Sequence, residues 1–311
     1  MAAISREEAS EALQGLYCIA VTPFSADGAF DRQSFAGVLE RAIGADYDGI
    51  LVGGTYGEFA TMTTRERAEL FHCATDVVAR RVPLMLCAAS PDLRVVEELG
   101  ALAASLGGIP MVMPPYVSEV TPGHIEAFFT RVAASVAPLV IYNAPGVGIT
   151  LPPVLIERLA DIPGIVGLKQ GDLAPLVIDE LVGRLGGRLR LLCASDLQMP
   201  AALAAGFDGL SSTNSCALPE LIHDSFHAFK AGDARLGTTL YRSWYDYRMA
   251  VRRFGQPQSV KAAMQMRGWV GGHVRAPLLD LTAEQMAELE AVIRPLLALE
   301  RDRQQLVARA A

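Results

Sequence analysis

The run PLMLCA at residues 83–88 is followed by a stretch of helical periodicity at 90–106 and by a second apolar run, GIPMVM, at 108–113. Neither run alternates apolar with polar residues, so both faces of each predicted strand should be covered. Parallel strands flanked by helices meet this requirement, whereas an antiparallel sheet with one wet face does not. The three segments therefore predict a β–α–β unit with parallel strands.

The same unit repeats along the chain. The apolar runs predicted as strands cover residues 16–21, 49–52, 83–88, 108–113, 138–142, 165–168, 189–193 and 209–211. The helices predicted between them cover residues 32–45, 64–81, 90–106, 122–137, 152–160, 173–185 and 197–205. Such a series closes most economically as a (β/α)8 barrel, which takes about 250 residues. We therefore predict an α/β fold, a TIM barrel with the catalytic site, over residues 1–218.

The rest of the chain, residues 219–311, reads as helix almost throughout and predicts a C-terminal helical extension. Trp244, Tyr245 and Tyr247 are expected to lie in one helix of this extension. Pro295 is expected to kink or divide another helix, because proline cannot donate an interior hydrogen bond.

Local signals predict where some elements begin and end. Thr63 is followed three residues later by Glu66, which is the pattern of a capping box. Ser90-Pro91 resembles another helix start, and residues 303–311 are expected to be a frayed end.

Composition excludes several classes of protein. Acidic residues outnumber basic ones, 34 against 27, so the chain lacks the excess of positive charge that binds nucleic acid. No apolar stretch approaches the roughly 18 residues of a membrane-spanning helix, and the N-terminus lacks a secretory signal. The five cysteines are odd in number and mostly lie in apolar runs, which is typical of reduced thiols. We expect a soluble, cytoplasmic protein.

Active sites of TIM barrels lie at the carboxyl ends of the strands, so polar residues there are the candidates. Lys169 ends the apolar run IVGLK, where desolvation favours the neutral, nucleophilic amine. A lysine that extends its amine to solvent at the barrel rim, or one that pairs with Asp196, fits the same position. Tyr142 ends the fifth run and could pass protons, or could only pack the top of the barrel.

The segment GGTYGE at residues 53–58 follows the second run. Its glycines let the backbone N–H groups around Thr55 converge on an anion such as a carboxylate, although a tight turn without a ligand fits equally well. Glu58 is expected to hold this loop by accepting hydrogen bonds rather than to act as an acid or base.

The strings GTYGE at 54–58, YNAP at 142–145 and GLK at 167–169 together resemble the dihydrodipicolinate synthase and N-acetylneuraminate lyase superfamily of pyruvate-dependent class I aldolases. The resemblance extends from about residue 16 into the helical extension. It implies a cofactor-free lyase in which Lys169 forms a Schiff base with pyruvate or another 2-oxo acid. Tyr142 and Thr55 would then relay protons, and the protein would be a homo-oligomer, a dimer or a homotetramer.

The resemblance also implies the substrate-binding groups. The backbone amides of Thr55 and Tyr56 would hold the pyruvate carboxylate, and the carbonyl of Leu210 would line the site. Family members often have a second Thr or Ser where this chain has Tyr56. Many also have two adjacent aromatic residues after the fourth strand, the second reaching the neighbouring subunit. Here the pair is Tyr116-Val117, so either Tyr116 substitutes from one position earlier or the relay ends at Thr55.

A further departure concerns the acceptor. Dihydrodipicolinate synthases proper carry an arginine soon after the YNxP string, and this chain has Val147 there. A valine cannot bind a carboxylate as an arginine does, so synthase activity with aspartate semialdehyde is in doubt. The acceptor should be neutral or apolar where it meets Val147, or the protein should bind it with a cation from another position. The resemblance thus implies a lyase acting on pyruvate and an aldehyde. A 2-oxo-3-deoxy sugar acid dehydratase and a catalytically silent 2-oxo acid-binding barrel are the alternatives.

Three other patterns suggest sites or contacts that we do not predict. His223 and His227 lie one helical turn apart but lack a third ligand, so no metal site is predicted. The polar segment at 211–215 could bind a phosphate, but the seventh connection has no obvious glycine-rich phosphate loop, so this segment is expected only to influence the choice of acceptor. Arginines occur close together in the extension and are expected to face solvent or a subunit contact: Arg248, Arg252 and Arg253.

Overall fold

A computed structural model describes residues 4–145 and 147–301. Eight parallel strands close into a barrel in which every strand pairs with its neighbours in chain order. The strands are β1 (Gly15–Ile19), β2 (Gly49–Val52), β3 (Leu84–Cys87), β4 (Ile109–Val112), β5 (Leu139–Asn143), β6 (Ile165–Gln170), β7 (Arg190–Cys193) and β8 (Gly209–Ser212). The predicted TIM barrel is confirmed, and each predicted run contains or overlaps one observed strand.

The strands are buried on both faces, as their unbroken apolar runs predict. One cluster of buried side chains includes Met85, Met111, Val140 and Leu192, and Tyr142 belongs to it. A larger cluster joins alternate strand residues to the surrounding helices. Because successive side chains of a strand point to opposite faces, each strand contributes to both clusters.

Helices surround the barrel and continue after the last strand. They are α1 (Arg6–Ala12), α2 (Arg32–Gly44), α3 (Thr64–Val78), α4 (Leu93–Ser105), α5 (Pro122–Val136), α6 (Pro153–Leu159), α7 (Pro175–Leu185), α8 (Met199–Ala205), α9 (Pro219–Lys230), α10 (Ala234–Ser243), α11 (Tyr245–Phe254), α12 (Gln258–Met266) and α13 (Ala283–Arg301). The capping box at the start of α3 is confirmed, since Thr63 and Glu66 exchange side-chain and backbone hydrogen bonds. The predicted start of α4 at Ser90 is wrong, because Asp92 caps that helix.

The C-terminal extension is helical, with three differences from the prediction. Trp244 lies between α10 and α11, so it does not share one helix with Tyr245 and Tyr247. Residues 267–282 contain no helix. Pro295 lies inside α13 and does not divide it, so of the two predicted effects only a kink stays a prediction. Helix α9 contacts both α8 of the barrel and α10 of the extension. The predicted boundary between the barrel and the extension, between residues 218 and 219, stays a prediction.

Several other features concern the surface and the thiols. All five cysteines are free and buried. None of the helices described is both long enough and apolar enough to cross a membrane. Over the same residues, no group of three or more His, Cys, Asp or Glu side chains could hold a metal ion. The predicted frayed end at 303–311 lies outside the described residues.

Candidate active site

Lys169 and Tyr142 lie side by side on two neighbouring strands. The register of β5 and β6 pairs these two residues directly, because strands of a parallel barrel align their carboxyl ends. The Nζ atom of Lys169 lies 3.8 Å from the centroid of the Tyr142 ring. Lys169 is only 2% exposed. The sequence correctly predicts that both side chains meet at one end of the barrel.

The amine of Lys169 is poised to be neutral. Burial lowers its pKa to about 7, because charging an amine away from water is unfavourable. It forms no ion pair with any residue that the structure describes. The carboxylate of Asp196 instead accepts hydrogen bonds from Ser212 Oγ and, at 2.9 Å, from Asn214 Nδ2. The alternative of a lysine paired with Asp196 is therefore wrong.

Tyr142 contacts both the amine of Lys169 and Thr55. Its ring face lies against the amine, and its hydroxyl and Thr55 Oγ1 are 3.1 Å apart and share a hydrogen bond. Burial raises the pKa of Tyr142 to about 12, and the bond to Thr55 lowers it in part. Tyr142 is thus protonated at neutral pH. The hydrogen-bonded pair of Tyr142 and Thr55 lies beside the amine.

A short 3₁₀ helix, Thr55–Gly57, positions Thr55 after β2. It has no side-chain cap at its N-terminus, so its leading N–H groups are not used by a capping side chain. Glu58 follows in a left-handed conformation and is buried. It accepts hydrogen bonds from Lys261 Nζ at 2.5 Å and from the backbone N–H of Arg275 at 2.9 Å. The expectation that Glu58 holds this loop by accepting hydrogen bonds is confirmed.

A cavity of about 350 Å³ opens beside these groups. Thr55, Tyr56, Tyr142 and Val147 all line it, as the sequence predicts. Lys169 is not itself among the lining residues; its amine packs against the ring of Tyr142, which is.

Leu210 is predicted to line the site through its backbone carbonyl, and this stays a prediction. Its side chain is fully buried in the cluster between strands and helices, and the side chain of the next residue of β8, Ser211, points to the opposite face. Ser211 is among the residues that line the cavity.

Sequence reasoning considered Asp196 and the segment 211–215 separately and did not predict that they form one hydrogen-bonded set in this cavity. Asp196, Ser212 and Asn214 lie after or at the ends of β7 and β8, and Gln256 Nε2 donates to Asn214 Oδ1 at 3.2 Å. Burial raises the pKa of Asp196, while its bonds to Ser212 and Asn214 lower it. Gln256, from the extension, is the member that the sequence analysis missed.

The three arginines of α11 do not share one environment. Arg253 is exposed and pairs with Glu288 on α13, as a solvent-facing side chain would. Arg252 and Arg248 both line the cavity. Arg248 is buried, so the expectation that it faces solvent or a subunit contact is wrong.

Asn143 fixes the loop that carries Val147. Its side-chain amide donates to the carbonyl of Leu151 and to Gln170 Oε1, each at 3.0 Å, and accepts from the Leu151 N–H at 2.9 Å. These buried bonds close the segment after β5 against β6. The asparagine of the YNAP string thus has a structural role that the sequence analysis did not assign.

Tyr116 does not line this cavity within one chain. Burial raises its pKa, and the nearby Arg67 lowers it in part. The hydroxyl path described for a single chain therefore ends at Thr55.

Of the other patterns set aside, His223 Nδ1 contacts Asp224 Oδ1 at 3.1 Å, and its ring packs on that of His227.

A closed (β/α)8 barrel with a polar cavity at the carboxyl ends of its strands defines a TIM-barrel enzyme. The model of the dihydrodipicolinate synthetase family matches residues 12–296. A 4-hydroxy-tetrahydrodipicolinate synthase of Streptomyces coelicolor is 33% identical, over 90% of this chain and 93% of its own length. The chain belongs to the dihydrodipicolinate synthetase family, and it is a lyase of the aldolase type.

Solved structures agree with this assignment. Dihydrodipicolinate synthase from Aquifex aeolicus superimposes with a TM-score of 0.87 at 26% identity, over 91% of this chain and 98% of that one. A prophage protein of the dihydrodipicolinic acid synthase family from E. coli K12, solved in complex with pyruvate, gives a TM-score of 0.85 at 26% identity, also over 91% and 98%.

Proposed function

We propose that the protein condenses or cleaves pyruvate, or another 2-oxo acid, with an aldehyde through a Schiff base on Lys169. The observation that carries this proposal is the buried amine with a pKa of about 7, in contact with Tyr142. A neutral amine is the form that attacks a ketone. The pyruvate bound to the related prophage protein of E. coli K12 supports the choice of 2-oxo acid.

The proposed steps use the hydrogen-bonded pair of Tyr142 and Thr55. The Lys169 amine attacks the ketone carbon of pyruvate, and loss of water leaves an iminium. The positive nitrogen then stabilises the enamine that forms when the methyl group loses a proton. The enamine attacks the aldehyde carbon, the new alkoxide takes a proton, and water releases the product from Lys169. Tyr142 and Thr55 carry protons between the substrate and solvent.

The pyruvate carboxylate is proposed to bind the N–H groups of Thr55 and Tyr56. These amides open a 3₁₀ helix that no side chain caps, so their donors are suited to an anion. Tyr56 lines the cavity. Burial raises the pKa of its hydroxyl, so the phenol is neutral. Tyr56 would leave less room beside pyruvate than the small hydroxyl residue common in the family.

Val147 separates this protein from a dihydrodipicolinate synthase proper. An arginine binds a carboxylate with two parallel hydrogen bonds, and the Val147 side chain has no donor to replace them. The reaction with aspartate semialdehyde is therefore not the one that we propose.

A dehydratase acting on 2-oxo-3-deoxy sugar acids is a second candidate. The observation that favours it is the polar set of Asp196, Ser212, Asn214 and Gln256, whose donors and acceptors suit the hydroxyls of a sugar acid. The same lysine would expel hydroxide instead of breaking a carbon–carbon bond. Incubation with sugar acids separates the two, because only the aldolase releases pyruvate.

Reductive trapping tests the shared mechanism. The chain has three lysines, of which Lys230 is exposed and Lys261 is paired with Glu58. Incubation with pyruvate and borohydride, followed by peptide mass spectrometry, should label Lys169. Lys169→Arg should abolish the label, and Lys230→Arg should leave it intact. A label on another lysine, or none, refutes the mechanism, whereas labelling without turnover of any aldehyde or sugar acid indicates a silent binding barrel.

A dimer or tetramer is proposed as the working form. Within one chain the hydroxyl path ends at Thr55, so a second subunit would be the source of any further relay residue, such as the partner copy of Tyr116. Light scattering on the eluted protein measures the assembly directly. A Tyr116→Phe variant with unchanged turnover would mean that the relay ends at Thr55.

A further inference from the structure

Arg248 is a buried cation in the wall of the active-site cavity. It lies on α11, and the residue is only 3% exposed. The centre of its guanidinium lies 3.6 Å from the Tyr241 ring centroid and 4.5 Å from that of Trp244. Contact with two aromatic rings stabilises the buried positive charge without using the N–H donors of the guanidinium.

Part of that N–H edge has no partner. The buried Nε and Nη1 atoms of Arg248 form no hydrogen bond with the residues that the structure describes. Asp196 is the nearby acid whose charge acts on Arg248, but its carboxylate accepts hydrogen bonds from Ser212 and Asn214 instead. A buried guanidinium with unused donors is unfavourable unless a ligand satisfies them.

The charge of the cavity favours an anion. Among its lining residues, Arg248 and Arg252 are basic and Asp196 is the acidic one. Burial raises the pKa of Asp196, which disfavours its negative charge. Arg248 and Arg252 are therefore the cations of the cavity wall, since Lys169 is not among the lining residues. Val147 supplies no charge to the loop where synthases proper carry their arginine.

We propose that Arg248 determines acceptor specificity by binding a carboxylate of the aldehyde substrate, so that the acceptor is an oxo acid. This rests on the proposed Schiff-base function, because the aldehyde carbon must meet the enamine formed on Lys169. Arg248 supplies, from the C-terminal extension, the cation that is absent at Val147. The fork of Nε and Nη donors matches the two oxygens of a carboxylate.

Paired acceptors test the assignment. Succinic semialdehyde and butanal have similar chains and differ in the carboxylate. The measured quantity is the ratio of kcat/KM for the two aldehydes with pyruvate as donor. This ratio cancels any general loss of folding or of pyruvate binding. Arg248→Met should lower the ratio by about 10- to 100-fold, the range expected for hydrogen bonds to a charged group. Arg248→Lys should lower it less, because the charge is kept.

Arg253→Met is the matched control. It removes an arginine from the same helix, at an exposed position outside the cavity, and should leave the ratio unchanged. An equal ratio in the wild type and in Arg248→Met overturns the proposal. So does a fall of the same size in Arg253→Met, which would indicate long-range charge rather than contact.

Binding gives a second readout that needs no turnover. The wild type with its reduced pyruvate adduct is titrated with 4-hydroxybutyrate and with its neutral amide. Tighter binding of the acid, lost in Arg248→Met, supports the assignment, and equal binding of both refutes it. If pyruvate labels no lysine, the Schiff-base function fails, and the same titration on the unlabelled protein still decides whether Arg248 binds a carboxylate.

Discussion

The pH dependence of pyruvate trapping is the sharpest test of the lysine's environment. Lys169 has its pKa lowered by burial from 10.5 to about 7. At pH 7 about half of the amine is then neutral, against roughly three parts in ten thousand for an ordinary lysine. Burial alone therefore raises the reactive fraction about 10³-fold at neutral pH.

The shape of the profile follows from the same numbers. With a pKa of about 7, the trapping rate at low pyruvate should rise about five-fold between pH 6 and 7 and less than two-fold between pH 7 and 8. An unperturbed lysine would instead give about ten-fold for every unit up to pH 9.

The assay is the rate of labelling of Lys169 by pyruvate with cyanoborohydride, which is stable over this range. Peptide mass spectrometry follows the Lys169 peptide and, as an internal standard, the exposed Lys230. A profile that still climbs ten-fold per unit above pH 8 would refute the reasoning, because the amine would then be charged at neutral pH despite its burial. A labelling rate that levels off above pH 7 in the folded protein, and that keeps rising with pH only after denaturation, would support the reasoning.

Three further predictions concern neighbouring residues. Tyr142→Phe should lower kcat by about 10²- to 10⁴-fold while Lys169 remains slowly labelled by pyruvate, since only the proton donor is lost; unimpaired turnover would exclude Tyr142 from the relay. Lys261→Met should destabilise the fold by about 3–5 kcal/mol in urea unfolding, because Glu58 is left buried without its partner, whereas adding Glu58→Gln should recover part of the loss. Val147→Arg should raise kcat/KM for carboxylate-bearing aldehydes relative to neutral ones by about ten-fold, and unchanged selectivity would mean that Val147 does not contact the acceptor.

The barrel and its central pair could be predicted from local sequence. An unbroken apolar run that ends in one polar residue indicates both a strand buried on two faces and a side chain at its carboxyl end. Tyr142 and Lys169 each end such a run, so their meeting follows from the parallel alignment of β5 and β6.

Helix boundaries depend on side-chain bonds that compete over a few residues. Ser90 resembles a cap, but its hydroxyl accepts from the Asp92 N–H and forms a turn before the helix. The Asp92 carboxylate then accepts from the Arg94 N–H and begins α4. Both residues suit a cap, so composition alone does not choose between them.

Arg248 could not be found from periodicity, for a reason that applies to active sites in general. Residues 248, 251, 252 and 255 each lie within one helical turn of the next, and all four line the cavity. A hydrophobic pattern assigns apolar faces to the core and charged faces to solvent, so this mixed face reads as exposed. This assignment fails at the cavity, because a charged residue in its wall is buried from solvent so that it can bind a ligand. The long-range packing of α11 over the strand ends decides the burial of Arg248, and no local window of sequence contains it.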